Sequence, residues 1–248
     1  MTKLRKIALT AFTAPLALAL AACSSEEEAG PVQGEPIAAI PAPEGQQWVD
    51  TVTVTDKGGY ALGNPEAPIR LVEYGSLTCP GCAAFSAASA RPIEEYVNSG
   101  RVNFEFRSFV IHGPIDLALT ALVSCASPET VHPLSEQVWS NLGEIQQRAY
   151  ADQAAMEQAL SLPEDQRFVA FGEVTGLYDF FSARGLSEAQ ARACLADFDN
   201  LTRLAKFSQG YAQEDGITGT PTFTLNGSRL TETGWPDVEA ALQRAGAR

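Results

Sequence analysis

The feature that most restricts the fold of this chain is the stretch Cys79-Pro80-Gly81-Cys82, together with the segments on either side of it. Residues 69–75 form a short apolar run that is typical of a buried strand, and the alanine-rich residues 83–97 are typical of a helix. Proline suits the first position of a helix, where its missing N–H costs nothing. The sequence therefore predicts that the helix begins at Pro80 and that Cys79 is its N-cap.

A cysteine at a helix N-terminus meets unpaired N–H groups and the positive end of the helix dipole, and both favour the thiolate. The thiolate is the form of cysteine that attacks disulfides. We expect Cys79 to be the exposed nucleophile, with a lowered pKa and with the N–H groups of Gly81 and Cys82 directed at its sulfur. Cys82, one turn later, is expected to lie beneath it as the resolving thiol. The pattern predicts a redox-active Cys79–Cys82 pair.

The same four residues could instead be half of a structural zinc site, completed by Cys125 and Cys194 or by His112. Structural zinc sites usually draw their ligands from closely spaced pairs, whereas Cys125 and Cys194 are single cysteines far apart in sequence. The sequence favours the redox interpretation, in which neither a metal nor another cofactor is expected.

The rest of the folded part predicts an α/β fold with a helical insertion. Residues 102–110 alternate like a second strand, so a strand, a helix and a strand form a parallel β-α-β unit. Residues 115–209 are mainly helical and too long for a simple connection, which predicts a helical subdomain. Residues 220–225 are typical of a strand, and Asn226-Gly227 of a hairpin turn. Residues 48–55 predict a half-buried strand, and Pro92 predicts a kink or break in the first helix.

Taken together, the strand, the C-x-x-C helix, the helical insertion and Gly219-Thr220-Pro221-Thr222-Phe223 resemble the DsbA-like thiol:disulfide oxidoreductases of the thioredoxin superfamily. The resemblance covers roughly residues 58–248. It implies a thioredoxin fold, with a central mixed sheet flanked by helices, and an enzyme that acts on exported proteins, most simply a disulfide oxidase. A reductase or isomerase of the same fold, and a non-enzymatic lipoprotein module with a structural cysteine or zinc site, are the alternatives.

The resemblance also implies roles for individual residues. Thr220-Pro221 would form a cis peptide bond that docks substrate beside the cysteines, although Pro221 could also begin an ordinary edge strand. Glu73 lies within the apolar strand, where burying a carboxylate costs free energy unless it is paired or transfers protons. In the family that the chain resembles, the corresponding position carries an acid implicated in proton transfer with the resolving cysteine. Alternatively, the strand edge leaves Glu73 solvated. The family's best-known member has Pro-His at the position of Pro80-Gly81, which leaves the direction of electron flow open.

Four further residues have less specific signals. Cys125 and Cys194 either pair with each other or stay as buried thiols. Some DsbA-like proteins have a non-catalytic disulfide in this region, so the resemblance implies the pair. His112 follows the second predicted strand and could approach the site, although an ordinary loop residue is the expectation, and His132 has no evident role.

The N-terminal residues predict export and a lipid anchor. Lys3, Arg5 and Lys6 precede an apolar run, so residues 1–22 are typical of a signal peptide. Residues 20–23, Leu-Ala-Ala-Cys, resemble the lipobox of bacterial lipoproteins, in which Cys23 is acylated; ordinary cleavage beside a free cysteine is the alternative. Residues 23–47 are acidic and proline-rich and predict a disordered tether, so that the thioredoxin-like domain comprises residues 48–248.

These features place the domain in the periplasm or cell envelope, held at a lipid bilayer through Cys23. The expected partners are unfolded or cysteine-containing exported proteins and a membrane redox partner, which would be a quinone-linked re-oxidase if the protein is an oxidase. Cleavage after residue 22 would change the formal net charge from −13 to −16, because three basic and no acidic residues are removed. A chain this acidic, without a basic patch, is not expected to bind nucleic acid.

Overall fold

The computed structural model of the protein describes residues 34–248, and the predicted signal peptide and Cys23 lie outside the described residues. The described part is a mixed sheet flanked by helices. Its strands are β1 (Val52–Val54), β2 (Tyr60–Leu62), β3 (Ile69–Gly75), β4 (Val102–Ser108), β5 (Thr222–Leu225) and β6 (Ser228–Arg229). Its helices are α1 (Pro80–Asn98), α2 (Pro114–Val123), α3 (Val131–Ser140), α4 (Leu142–Ala149), α5 (Gln153–Leu160), α6 (Glu164–Val174), α7 (Leu177–Ser182), α8 (Glu188–Ala196), α9 (Phe198–Gln213) and α10 (Trp235–Arg244).

The sheet has the strand order β1-β2-β4-β3-β5-β6. The neighbours β3 and β4 are parallel, and every other pair is antiparallel. The predicted parallel β-α-β unit and the predicted fold class are confirmed. Because the carboxyl ends of parallel strands meet at one edge of a sheet, the loop after β3, which carries Cys79, and the loop after β4 emerge side by side.

Helix α1 begins as predicted but does not break at Pro92. The helix is continuous from Pro80 to Asn98 with Pro92 in its interior. Phe85, Ile93 and Val97 are all buried on one face of it, on both sides of the proline. Their packing against the sheet compensates for the hydrogen bond that proline removes, so the predicted break is wrong.

The helical insertion, α2 to α9, packs directly on the active-site loop. Its buried side chains form one apolar cluster with Leu77, Cys82 and Phe106. Trp139 of α3 donates its indole N–H to the carbonyl oxygen of Ser76 at 3.0 Å. Gln146 of α4 donates to the carbonyl oxygen of Thr78 at 3.2 Å. The insertion therefore holds the backbone just before Cys79 in place.

On the face of the sheet that α3 also covers, α1 is held to β5 and α10 by aromatic contacts. The ring of Phe85 lies 4.4 Å from that of Phe223 and 6.0 Å from that of Trp235, measured between centroids. After β5, Asn226 and Gly227 both have positive φ values, 49° and 83°, as the predicted Asn-Gly hairpin turn requires. This arrangement fixes the start of β5 beside the N-terminus of α1.

The segment before β1 differs from the sequence prediction in two ways. Residues 34–47, predicted to belong to the disordered tether, lie along the domain: the Ile37 and Ile40 N–H groups donate to the carbonyl oxygens of Gly246 and Ser99. These isoleucines supply apolar contact that the proline-rich composition concealed.

Residues 48–55 form a 3₁₀ turn followed by a three-residue strand in which Val54 is 49% exposed. The strand is short because it lies at the sheet edge, where it has one neighbour.

Candidate active site

The two cysteines of the C-x-x-C occupy the predicted positions on α1. Cys79 is the N-cap, with extended backbone angles (φ −86°, ψ 121°), and Pro80 follows at the first helical position. Cys82 lies one turn further on and is fully buried. Both thiols are free in the structure. The pair thus has one sulfur at the helix end and the other beneath it.

The immediate surroundings of Cys79 differ from the prediction. The protonated thiol donates to the carbonyl oxygen of Thr220 at 3.3 Å and accepts no N-cap hydrogen bond. The N–H groups of Cys82 and Gly81 nevertheless contribute to the lowered pKa of Cys79, as predicted. Cys79 is also only 7% exposed, so the nucleophile is largely covered rather than exposed.

The two thiols have opposite acid–base properties. The pKa of Cys79 is lowered to about 5, first because the Cys82 thiol donates a hydrogen bond to the Cys79 thiolate; partial burial opposes this effect. The pKa of Cys82 is strongly raised, first because it is the donor in that bond, and then because it is buried and faces the carboxyl group of Glu73. Near neutral pH, Cys79 is the thiolate and Cys82 the thiol, as a nucleophile and a resolving residue require.

The segment before β5 covers Cys79. The Thr220–Pro221 peptide bond is cis, as the resemblance implied, and Thr222 Oγ1 donates to the carbonyl oxygen of Gly219 at 2.7 Å. A Cβ atom on Gly81 would lie 3.1 Å from Pro221 Cδ and 3.6 Å from Cys79 Sγ. The lack of a side chain at position 81 therefore allows this loop to approach the helix N-terminus and the sulfur closely.

Glu73 is buried beneath the pair, and it is not at a solvated strand edge. It is 2% exposed, lies in the middle of the sheet between β4 and β5, and its Oε1 atom has no hydrogen-bond partner among the described residues. Burial, and then the nearby Cys79, raise the pKa of Glu73 to about 8. The carboxyl group faces a cavity of about 290 Å³ between the sheet and α1 and α3, which Ser135 also lines. Glu73 can therefore hold a proton at neutral pH close to Cys82.

A buried carboxylate that the sequence did not reveal organises the active-site loop. Asp116, fully buried in the first turn of α2, accepts hydrogen bonds from the hydroxyl of Ser76 (2.7 Å) and from the N–H groups of Leu77, Ile111 and His112. It thus joins the loops after β3 and β4 to the insertion. In the sequence, an acid after a proline marks only a helix start. Its partners come from two distant segments, so no sequence pattern could have identified the site.

Cys125 and Cys194 are bonded to each other, with their Cα atoms 6.0 Å apart. The bond links the end of α2 to α8 and leaves neither sulfur for a metal, which contradicts the four-cysteine zinc alternative. Within residues 34–248, no group of three or more histidine, cysteine or acidic side chains is placed to hold a metal ion. His132 is set apart from the thiols: burial lowers its pKa to about 4, and Nε2 lies 3.0 Å from the carbonyl oxygen of Tyr60.

Comparisons with known proteins agree with this geometry. A putative protein-disulfide oxidoreductase of Rickettsia bellii is 23% identical over 201 residues, covering 79% of this chain and 69% of that protein. Disulfide bond formation protein D of Bacillus subtilis is 34% identical over 58 residues, 23% of this chain. That alignment spans about a quarter of the Bacillus protein, 26% of its length.

Solved structures show the same fold. The crystal structure of a protein-disulfide isomerase from Novosphingobium aromaticivorans superimposes with a TM-score of 0.68 and 28% identity, covering 75% of this chain and 97% of that one. Wolbachia pipientis α-DsbA1 has a TM-score of 0.60 and 20% identity, covering 75% of this chain and 91% of its own. The predicted DsbA-like fold is confirmed. A family model described as thioredoxin matches residues 55–244, and the chain therefore belongs to the thioredoxin family.

Proposed function

We propose that the protein is a thiol:disulfide oxidoreductase of exported proteins that works through the Cys79–Cys82 pair. The observation that carries this proposal is the asymmetry of the two thiols. Cys79, at a helix N-terminus and accepting a hydrogen bond from the Cys82 thiol, has a pKa lowered to about 5, whereas the pKa of buried Cys82 is raised. This combination provides one nucleophilic sulfur and one protected sulfur, as stepwise disulfide exchange requires.

The reaction would proceed through a mixed disulfide at Cys79. In the oxidising direction, a substrate thiolate attacks Cys79 of the enzyme disulfide, and Cys82 leaves and takes up a proton. Glu73, which is protonated near neutral pH and faces Cys82, supplies that proton. A second substrate thiolate then attacks the mixed disulfide, releases Cys79 as a stable thiolate, and leaves the substrate oxidised. The substrate backbone would dock against Thr220-Pro221, as the family resemblance implies.

The lowered pKa of Cys79 favours the oxidising direction. A group that stabilises the thiolate stabilises the reduced enzyme, and a stabilised reduced form makes the disulfide a stronger oxidant. Equilibration of the Cys79–Cys82 pair with glutathione buffers tests this assignment. We expect a reduction potential well above that of thioredoxin, about −270 mV. A value close to that of thioredoxin would assign a reductase instead.

An isomerase is the second candidate, because the Novosphingobium protein, which is 28% identical in sequence, is named a protein-disulfide isomerase. The two activities differ in their substrates: an oxidase converts reduced, unfolded protein, whereas an isomerase rearranges scrambled disulfides. Reactivation of reduced and of scrambled ribonuclease by the same preparation distinguishes them. Faster reactivation of the scrambled form would replace the oxidase assignment.

The proposed substrates are unfolded or cysteine-containing exported proteins, and re-oxidation would require a membrane redox partner, quinone-linked for an oxidase. Substitution Cys82→Ala removes the resolving thiol and should accumulate mixed disulfides at Cys79. The matched control Cys79→Ala lacks the nucleophile and should trap nothing. If both variants trap the same proteins, the assignment of Cys79 as nucleophile is wrong.

We also propose that the protein is held at a membrane through acylated Cys23, with residues 1–22 removed as a signal peptide and with a tether before the domain. The lipobox-like Leu-Ala-Ala-Cys supports this location. Within residues 34–248, no helix combines the length and the apolar character needed to cross a bilayer. Substitution Cys23→Ala should move the protein from the membrane fraction to the soluble fraction. Unchanged fractionation would contradict the lipid anchor.

A further inference from the structure

Four side chains form a continuous hydrogen-bonded chain beside Cys79. His112 Nδ1 lies 2.7 Å from Thr78 Oγ1, Thr78 Oγ1 lies 2.9 Å from Ser76 Oγ, and Ser76 Oγ donates to Asp116 Oδ2 at 2.7 Å. Ser76 and Thr78 belong to the loop after β3, and His112 belongs to the loop after β4. The mechanism proposed above uses none of the four.

Hydrogen counting fixes the direction of this chain. Burial raises the pKa of Asp116, and this effect is opposed by its hydrogen bonds, which include three from backbone N–H groups. With the carboxylate as acceptor, the Ser76 hydroxyl uses its single hydrogen on Asp116. Ser76 Oγ then accepts from the Thr78 hydroxyl, whose hydrogen is thereby used as well. Thr78 Oγ1 can therefore only accept, and the hydrogen between it and His112 must be carried by Nδ1.

The consequence is a defined tautomer of His112. In the neutral ring one nitrogen is a donor and the other an acceptor, so a proton on Nδ1 leaves a lone pair on Nε2. His112 is an exposed residue, and Nε2 makes no hydrogen bond to any of residues 34–248. The Asp116 end of the chain is buried, and the His112 end faces solvent. The buried carboxylate, acting through two hydroxyls, thus holds His112 in the tautomer whose exposed Nε2 atom can accept a proton.

The location of His112 matches that role. The loops after β3 and β4 leave the same edge of the sheet, and Thr78, which His112 contacts, is the residue immediately before Cys79. The titratable group placed next to His112 is Asp116 on α2, which also accepts the His112 backbone N–H at 3.4 Å. No lysine or arginine within residues 34–248 hydrogen-bonds to any member of the four-residue chain.

We propose that His112 is the base that receives the proton of the incoming substrate thiol. Nε2 takes that proton as the substrate sulfur bonds to Cys79. The Cys79–Cys82 bond breaks, and Cys82 departs with the electron pair and is protonated. The oxidant is the enzyme's own disulfide, and the His112 proton passes to water afterwards. This inference rests on the proposed function, and Asp116, Ser76 and Thr78 act as positioning residues for the ring.

Single-turnover oxidation of a reduced dithiol peptide tests the proposal. The full chain is oxidised with glutathione disulfide, freed from glutathione, and mixed with the peptide over pH 6–9.5, with tryptophan fluorescence as the signal. Substitution His112→Asn keeps a side-chain N–H near the position of Nδ1 but removes the basic nitrogen. Thr78→Val interrupts the chain, and Thr78→Ser restores the hydroxyl as the matched control.

At pH 6.5, we expect His112→Asn and Thr78→Val to react about tenfold more slowly than the parent. This loss is smaller than that usually caused by removing a general base, because part of the substrate thiol ionises without help from the enzyme. At pH 9.5, where a thiol with a pKa near 8.5 is already ionised, the variants and the parent should converge. Thr78→Ser should follow the parent at every pH. Alkylation of reduced Cys79 should be unchanged in His112→Asn, which would show that the site is intact.

Each other outcome overturns the proposal in a distinguishable way. Equal rates for His112→Asn and the parent at pH 6.5 would exclude a proton-accepting role. A loss that persists unchanged at pH 9.5 would assign His112 a purely structural role. If the parent itself does not oxidise the peptide at any pH, the proposed function fails and the inference fails with it.

Discussion

The carboxyl group of Glu73, whose Oε1 atom has no hydrogen-bond partner among residues 34–248, should make the protein less stable as the pH rises through the neutral range. Its pKa is raised from 4.5 to about 8 in the folded protein, chiefly by burial. Between these two pH values, the folded state therefore binds more protons than the unfolded state. By linkage, the contribution of Glu73 to stability is fully present below pH 4.5 and is lost as the pH rises towards 8.

The magnitude follows from the shift. Each pH unit in this window costs about 1.4 kcal/mol of folding free energy, so Glu73 lowers stability by about 3 kcal/mol at pH 7 and by about 5 kcal/mol above pH 8. Substitution Glu73→Gln removes the ionisation but keeps the shape. We expect the variant to be more stable than the parent by up to about 3 kcal/mol at pH 7 and nearly equal to it at pH 4.

Glu105 provides the matched control. It is also fully buried in the sheet, on the adjacent strand β4, but Arg107 donates to its Oε1 atom at 2.7 Å. Glu105→Gln removes the nearer of two carboxylates of Arg107, with Asp215 remaining at 3.5 Å, and we expect a loss of up to about 3 kcal/mol. The same substitution should thus stabilise at position 73 and destabilise at position 105, because one carboxylate is unpaired and the other is paired.

Urea unfolding at pH 4, 5, 6, 7 and 8 measures these differences. The experiments should be made with Cys79 and Cys82 both replaced by alanine, because the lowered pKa of Cys79 adds stability with rising pH and would mask the effect of Glu73. The quantity to compare is variant minus parent at each pH. In this background the pKa of Glu73 is raised by burial without the contribution of Cys79, so the differences should be somewhat smaller than those given above but of the same sign. A Glu73→Gln difference that does not change between pH 4 and pH 8 would refute a buried, protonated Glu73.

Three further predictions concern other contacts. Alkylation of Cys79 by iodoacetamide should follow a titration with a midpoint near pH 5, and Cys82→Ala should move that midpoint upwards because the principal donor to the thiolate is lost; an unchanged midpoint would contradict this cause. Replacing both Cys125 and Cys194 by alanine opens a loop whose ends are 69 residues apart and should cost about 4 kcal/mol in urea unfolding, without abolishing Cys79 alkylation. Asp116→Asn places an amide against N–H donors and should lower stability by about 3 kcal/mol; a melting temperature equal to that of the parent would show that Asp116 is not needed to hold the loop.

The elements that follow local rules could be predicted from the sequence. Pro80 determines the start of α1 through its ring geometry, and Asn226-Gly227 determines the hairpin through the positive φ values that these residues accept. The predictions that failed concerned segments whose conformation depends on distant partners. Helix α1 continues through Pro92 because of packing on the sheet, and residues 34–47 are ordered by contacts with the C-terminal residues.

The candidate site divides in the same way. The Cys79–Cys82 pair was identified from its motif, and Glu73 from a charge inside an apolar run. Thr220-Pro221 was identified through the family resemblance, because a proline at a strand start by itself also fits an ordinary edge strand. The covering of Cys79 by the Thr220 carbonyl was not predicted. That contact joins residues 141 positions apart, and only the pairing of β3 with β5 brings them together.

The sequence by itself determined the chemistry of this protein: a C-x-x-C at the start of a helix, which makes one sulfur a thiolate. Only the tertiary structure decided which groups act on that sulfur. It left Glu73 without a partner beneath the pair, and it aligned His112, Thr78, Ser76 and Asp116 beside Cys79. The physical reason is that a helix terminus is a local property of the chain. The protonation of a buried group, by contrast, depends on every charge and hydrogen bond that folding brings near it.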